Sequence, residues 1–285
     1  MTGRGSVAAR FASFARAPRA ARIGSVCEET SCPNREECYR ASTAAFVLLG
    51  NVCTRACAFC FLPRGTPAPP DPGEAQRVAS LVEKLRLRHA VLTSVDRDDL
   101  PDGGATHFAA AVRAVRARSP GTKIEVLVPD FGGDRAALHR VLEEGPDVLS
   151  HALETVGRLF PTVRPGCDYA RSLELLRRAR DWTGGVRVKS ALSLGLGEKK
   201  EEVVAAIADL ASVGCELLAI GAYAPPSKEH PPSARAVSPD EYAEWKRMAE
   251  ALGIRRVVAG PQVRTTYRAA ELLGAAAPDA ARGGT

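Results

Sequence analysis

From residue 45 onward the chain alternates two hydrophobic patterns. Short, almost continuous apolar runs recur at 45–50, 90–95, 124–128, 147–149, 186–194, 217–222 and 255–259. Runs of that length without apolar–polar alternation are those of strands buried on both faces. Between them apolar residues fall at helical spacing: Phe108, Val112 and Val115; Val203, Val204, Ile207 and Leu210; Tyr242, Trp245, Ala249 and Leu252. Ser238-Pro239-Asp240-Glu241 marks a helix start, with a serine N-cap, proline at the first helical position and a glutamate placed to close a capping box. Asp71-Pro72-Gly73-Glu74 has the same form. Repeated βα units predict a parallel sheet with right-handed crossovers. Six or seven of them fit an α/β fold, a partial (β/α)6-type TIM barrel, better than a complete eight-stranded one. Functional residues are then expected at the C-terminal strand ends.

The pattern also divides the chain. Residues 45–260 form the barrel, and 261–285 a short C-terminal segment. Residues 23–44 read as an N-terminal extension with its own metal site, and 1–22 as a basic arm expected to be mobile. The arm holds Arg4, Arg10, Arg16, Arg19 and Arg22, with no acidic residue before Glu28. Organellar transit peptides share that composition. The alanine and arginine bias continues through the chain, which favours an arm and a cytoplasmic location; an address would mean a mitochondrial or plastid matrix.

Composition narrows the classes. The 285 residues are 45% hydrophobic and 25% charged, ample for a sizeable core. No apolar run approaches the ~18 residues of a membrane helix, so no membrane partner is expected. Aromatic residues make up 5%, which disfavours stacked nucleobases and with them a nucleic-acid partner. The net charge of +6 suits an acidic partner.

The cysteines carry the chemistry. Six of the eight lie between Cys27 and Cys60, with no secretory signal before them, so they read as metal ligands rather than disulfides. Cys53-x3-Cys57-x2-Cys60 directly follows the first barrel strand. Three thiolates on one loop hold three irons of a 4Fe–4S cluster and leave the fourth open to chelate S-adenosylmethionine. That spacing, in that place, resembles the signature of the radical S-adenosylmethionine superfamily. Cys27-x4-Cys32-x5-Cys38 is a second triplet, and two in succession imply two clusters. The alternative for either is a zinc knuckle, which takes a fourth Cys or His and is usually built from C-x2-C pairs.

Longer strings sharpen this. Val26-Cys27-Glu28-Glu29-Thr30-Ser31-Cys32-Pro33-Asn34 followed by Cys38 resembles the auxiliary-cluster motif of the lipoyl synthase family. Thr93-Ser94-Val95-Asp96-Arg97-Asp98-Asp99-Leu100-Pro101-Asp102-Gly103-Gly104-Ala105 is similar to a string of the same family. So are Glu125-Val126-Leu127, Pro129-Asp130-Phe131, Leu153-Glu154-Thr155-Val156, Val163-Arg164-Pro165 and Gly195-Leu196-Gly197-Glu198. The resemblance spans about residues 23–269 and implies a lipoyl synthase, which inserts sulfur at C6 and C8 of an octanoyl chain on a carrier lysine. It implies two 4Fe–4S clusters and S-adenosylmethionine: Cys53, Cys57 and Cys60 for the radical-generating cluster, Cys27, Cys32 and Cys38 for the sulfur-donating one. The family's fourth auxiliary ligand is a serine in an Arg-Ser-Ser-Tyr motif; here Arg264-Thr265-Thr266-Tyr267 puts Thr265 in that place. Asp102, Gly103, Gly104, Glu154 and Lys189 are the expected contacts to S-adenosylmethionine, with Gly195–Glu198 beside the adenine. Implied partners are an octanoylated lipoyl carrier domain or glycine cleavage H protein, a reduced ferredoxin or flavodoxin-type electron donor, and an iron–sulfur cluster carrier.

The chain departs from the family pattern at Asn51, Ala56, Ala58, Ser150, Ala152, Pro225 and Thr265. These motivate a second reading, a diverged sulfur-inserting paralogue with another substrate. A zinc-stabilised binding protein without enzymatic activity is a third. Cys167 and Cys215 read as ordinary thiols, and His151 as a pocket-lining or a satisfied strand-end histidine. Arg171, Arg177, Arg178 and Arg180 read as a solvated helix face, or as a docking surface for an acidic carrier.

Overall fold

The apolar runs pair side by side into one sheet. The structure, a computed structural model, describes residues 7–30 and 32–274. Its eight strands follow chain order: β1 (Gly24–Ser25), β2 (Thr43–Leu48), β3 (His89–Ser94), β4 (Lys123–Leu127), β5 (Val148–Ser150), β6 (Arg187–Leu194), β7 (Leu217–Ala222) and β8 (Arg256–Ala259). β1 runs antiparallel to β2, and every later neighbouring pair is parallel. β8 sits at the far end of that order from β1, so among the described residues the sheet stays open, as a partial barrel should.

Three helices precede or flank β1: α1 (Val7–Ala20), α2 (Val26–Glu29) and α3 (Arg35–Arg40). The crossovers carry α4 (Glu74–Leu85), α5 (Ala105–Arg118), α6 (Arg135–Leu142), α7 (Phe160–Val163), α8 (Tyr169–Arg180), α9 (Lys200–Ser212) and α10 (Pro239–Ala251), and α11 (Ala269–Leu273) follows β8. Phe46, Leu92, Val126, Leu149 and Val188 align in register across five strands, each 0–1% exposed. Cutting one of the leucines in that row back to alanine costs about 2–5 kcal/mol. The expected stripes face this core: Phe108, Val112 and Val115 on α5 and Val203, Ile207 and Leu210 on α9 are fully buried.

Several expectations shift. The first barrel strand ends at Leu48 rather than residue 50, because Leu49 (φ +66°) and Gly50 (φ +88°) both take left-handed backbone and turn the chain out of the sheet. Ser238 caps α10 by accepting from Glu241 N, but the Glu241 carboxylate goes to Arg235 and Trp245 instead of closing a box. Leu252 falls just beyond α10 and is exposed. At α4 the cap is Gly73, and the Glu74 carboxylate turns inward to Leu49 N and His107. From residue 7 the segment expected to be a mobile arm is helix α1, seated by Phe14, which is 1% exposed and stacks on Tyr39 with ring centroids 4.5 Å apart.

Candidate functional site

Leu49 and Gly50 deliver the chain into the loop that carries Cys53, Cys57 and Cys60, at the C-terminal end of β2. The loop closes on itself through Cys53 N to Pro63 O (2.9 Å) and Gly65 N to Cys53 O (2.9 Å). It is then held from three sides. Thr54 N donates to Asp96 O beyond β3, Ala58 N to Val163 O beyond β5, and the His230 ring bonds Cys60 O (3.1 Å) from the segment beyond β7.

Two backbone amides converge on one sulfur: Arg55 N (3.4 Å) and Asp96 N (3.3 Å) both donate to Cys53 Sγ. Burial pushes the Cys53 thiol up to about 11 and raises Cys60. Contact with Cys167 and burial raise Cys57, while that contact and the nearby Arg164 and Arg55 lower Cys167. Cys167 was expected to be ordinary; instead it packs against the loop and accepts from Arg55 Nη1 at 3.3 Å. Cys215 is the buried thiol expected of it, donating to Leu217 O.

The other triplet lies on the extension. Cys27 is on α2, Cys38 on α3, and Cys32 between them bonds its amide to Cys27 O (3.1 Å). Burial pushes Cys38 up to about 12, with Cys27 and Cys32 adding like charge, and burial raises Cys27. Buried thiols of this kind ionise when a cation takes the proton's place.

Residues 262–268 join the two regions. Gln262 O accepts from Asn34 Nδ2 (2.6 Å), Tyr267 Oη donates to Glu37 (2.8 Å), and Arg268 Nε to Glu37 (3.0 Å), so the turn is pinned to α3 beside Cys38. On its other side Thr265 lies close enough to Glu154 to act on its carboxyl, which accepts from Ser193 Oγ (2.8 Å). Glu154 has left-handed backbone (φ +63°), and burial holds its carboxyl above the usual range.

The remaining expected residues sit as follows. Gly103 and Gly104 have φ +59° and +92°, and a Cβ on Gly104 would stand 2.4 Å from Leu49 Cδ1. Asp102 is occupied by Gly104 N, Thr106 N and Thr106 Oγ1, capping α5. Glu198 folds back onto Gly195 N and Leu196 N (2.8 and 2.9 Å). Lys189 is not brought to the site: it lies near the start of β6, 0% exposed, with Nζ 2.8 Å from Glu125, which also contacts His89. His151 is satisfied by Val128 O and Ser172 Oγ. Sequence reasoning missed Arg55, Arg164, Cys167 and His230. Arg55 stood inside the cysteine spacing and Arg164 in a quoted motif; His230 had no local signal.

Thiols grouped in threes are the donors that iron–sulfur clusters take. Among the described residues no three His, Cys, Asp or Glu side chains converge as the ligands of one metal do. A cubane cluster takes one thiolate per iron and does not need such convergence. Arg164 adds an independent sign. Its Nη1 donates to Ala152 O and Leu153 O, but its Nε is buried with no hydrogen-bond partner, in a guanidinium whose charge acts on Cys57 and Cys167. An orphaned cationic donor beside thiols suits an anionic acceptor such as a cluster or a carboxylate.

Comparison with known proteins gives a consistent result. The profile of the Radical SAM superfamily matches residues 47–210. The chain is 51% identical over 248 residues to the lipoyl synthase of Methylococcus capsulatus, covering 87% of this chain and 77% of that one. It is 46% identical over 255 residues to the lipoyl synthase of Aquifex aeolicus, covering 90% and 92%. Among solved structures, a methylornithine synthase superposes with a TM-score of 0.56 at 14% identity, over 92% of this chain and 86% of that one. The HydG maturase of [FeFe]-hydrogenase gives 0.55 at 13%, over 95% and 74%. At such identities the two structures speak for the fold alone.

Proposed function

The chain belongs to the lipoyl synthase family of the radical S-adenosylmethionine superfamily, and from that membership we propose that it inserts two sulfur atoms, at C6 and C8, into an octanoyl chain held on a protein lysine. It is a sulfur-transferring enzyme that uses iron–sulfur and S-adenosylmethionine cofactors. We assign Cys53, Cys57 and Cys60 to a radical-generating 4Fe–4S cluster, and Cys27, Cys32 and Cys38, with Thr265 as fourth ligand, to a sulfur-donating one. Bound there, the first cluster with S-adenosylmethionine supplies a 5′-deoxyadenosyl radical able to take hydrogen from an unactivated carbon, and the second supplies sulfur.

The chain's own part is placement. The self-closed loop after β2 aims three thiols from one short segment, while Arg164 brings positive charge beside them. Glu154 offers a buried carboxylate, the group suited to an ammonium such as that of a methionine moiety. The left-handed backbone at Gly103 and Gly104 brings main chain close where a Cβ would intrude. Lys189 drops out of this assignment, because its charge is spent on Glu125.

The observation that carries the proposal is the turn at 262–268. It bonds α3 beside Cys38 on one side and faces Glu154 on the other, which supports a sulfur source held within reach of the carbon activated at the other triplet. The octanoyl chain is proposed to be carried by a lipoyl carrier domain or glycine cleavage H protein, with a ferredoxin- or flavodoxin-type donor reducing the radical-generating cluster and an iron–sulfur cluster carrier serving the enzyme, in the cytoplasm. An anaerobic single-turnover assay with S-adenosylmethionine, dithionite and an octanoyl-lysine peptide tests this by mass spectrometry. The expected product has two hydrogens replaced by two sulfurs. Deoxyadenosine without sulfurated peptide would point to another substrate.

A further inference from the structure

We propose that Arg55 is the positioning residue of the radical-generating cluster: its guanidinium clamps the loop of Cys53–Cys60 so that two amide donors stay on the Cys53 sulfur, and this sets the reduction potential of that cluster. The inference rests on the assignment of that triplet made above.

Arg55 lies two residues into the loop and is 8% exposed. Its Nε and Nη2 grip both oxygens of Asp98 (2.9 and 2.7 Å), Nη2 also meets Asp130 Oδ1 (2.7 Å), and Nη1 stands 3.4 Å from Asp96. Nη1 donates to Cys167 Sγ as well. These partners come from the segments after β3, after β4 and before α8. A guanidinium is withdrawn from water at such a place only where its fork finds acceptors on several sides. A lysine would offer one point of charge, not a fork.

The clamp acts on the sulfur through the main chain. The amides on Cys53 belong to Arg55 itself and to Asp96. One sits on the cysteine loop and the other on the segment after β3, and the Arg55 guanidinium ties these two segments together alongside Thr54, whose hydroxyl donates to Asp96 O and accepts from Asp98 N. Asp96 O further accepts from Thr54 N (3.1 Å), inside the same span. Hydrogen bonds to ligand sulfurs favour the reduced, more negative cluster and raise its potential. Releasing the clamp lets both donors drift from the sulfur.

The test uses the full chain with both clusters reconstituted, as Arg55→Gln and Arg55→Lys. Iron and sulfide are counted, and each cluster is titrated by EPR-monitored potentiometry. Arg55→Gln is expected to move the radical-generating cluster to a more negative potential, or to lose that cluster alone, while the auxiliary cluster is unchanged. Arg55→Lys is expected to recover part of the shift. Both clusters retained at wild-type potentials in Arg55→Gln would overturn the proposal. If Arg55→Gln fails to fold, Asp98→Asn decides, since Asp98 is half exposed: a smaller shift of the same sign is expected, and an unchanged potential overturns the proposal. A wild-type chain in which neither cluster's EPR signal responds to S-adenosylmethionine would instead refute the functional assignment beneath it.

Discussion

Lys189, Glu125 and His89 form a charged group sealed inside the barrel, each 0% exposed. Glu125 reaches Lys189 at 2.8 Å and His89 at 3.3 Å, and the ammonium first among its partners holds its carboxyl low against the penalty of burial. Removing the cation leaves an uncompensated buried carboxylate. Lys189→Met is therefore expected to destabilise the chain by about 3–5 kcal/mol in urea unfolding, and Lys189→Met with Glu125→Leu to recover much of that loss. His151 gives a pH signature. Burial, with Arg164 nearby, lowers its ring to about 4, while unfolded it titrates near 6.5. Between those values the unfolded chain binds more protons, so stability falls as pH is lowered from 6.5 toward 4, by about 3 kcal/mol over the window. Urea titrations at pH 7 and pH 4 should show that extra loss relative to His151→Gln. At this scale the sequence was a partial guide. The six clustered cysteines announce their chemistry by spacing, but nothing local says that Lys189 points at a glutamate 64 positions away.

The elements were more legible where periodicity governs. Continuous apolar runs marked the strands of β2 to β8, and the stripes of α5 and α9 marked their buried faces, because burial on a regular backbone imposes those periods. The end of β2 moved because left-handed residues, not hydrophobicity, terminate it. α1 was obscured by its arginines and alanines, and among its described side chains Phe14, set against Tyr39, and Ala17 are buried. The turn at 262–268 was legible only through the resemblance at Thr265, since nothing local announces a contact such as that between Asn34 and Gln262, 228 positions apart. Its seat is tight, since a Cβ on Gly221 of β7 would lie 2.1 Å from Val263 O. Gly221→Ala must push the turn outward. Sulfur insertion is expected to fall on the order of 10²-fold while cleavage of S-adenosylmethionine persists, as measured by product and deoxyadenosine in one assay.

Across the whole molecule, the open sheet and its crossover helices present one end, and both cysteine triplets are bonded to it through neighbouring loops. The arginines of α8 are paired in part: Arg177 and Arg178 share Glu174, Arg180 pairs with Asp181, and Arg171 shares Asp130 with Arg55, which leaves the helix net positive. Such exposed pairs contribute little stability each. The division of labour between the triplets is the central claim, and paired variants test it most directly. Cys57→Ala and Cys38→Ala, each reconstituted and given S-adenosylmethionine, dithionite and octanoyl-lysine peptide, are compared for deoxyadenosine and for sulfurated product. Cys57→Ala should yield neither, and Cys38→Ala should yield deoxyadenosine without sulfurated peptide. Equal loss of deoxyadenosine in both variants would contradict the account.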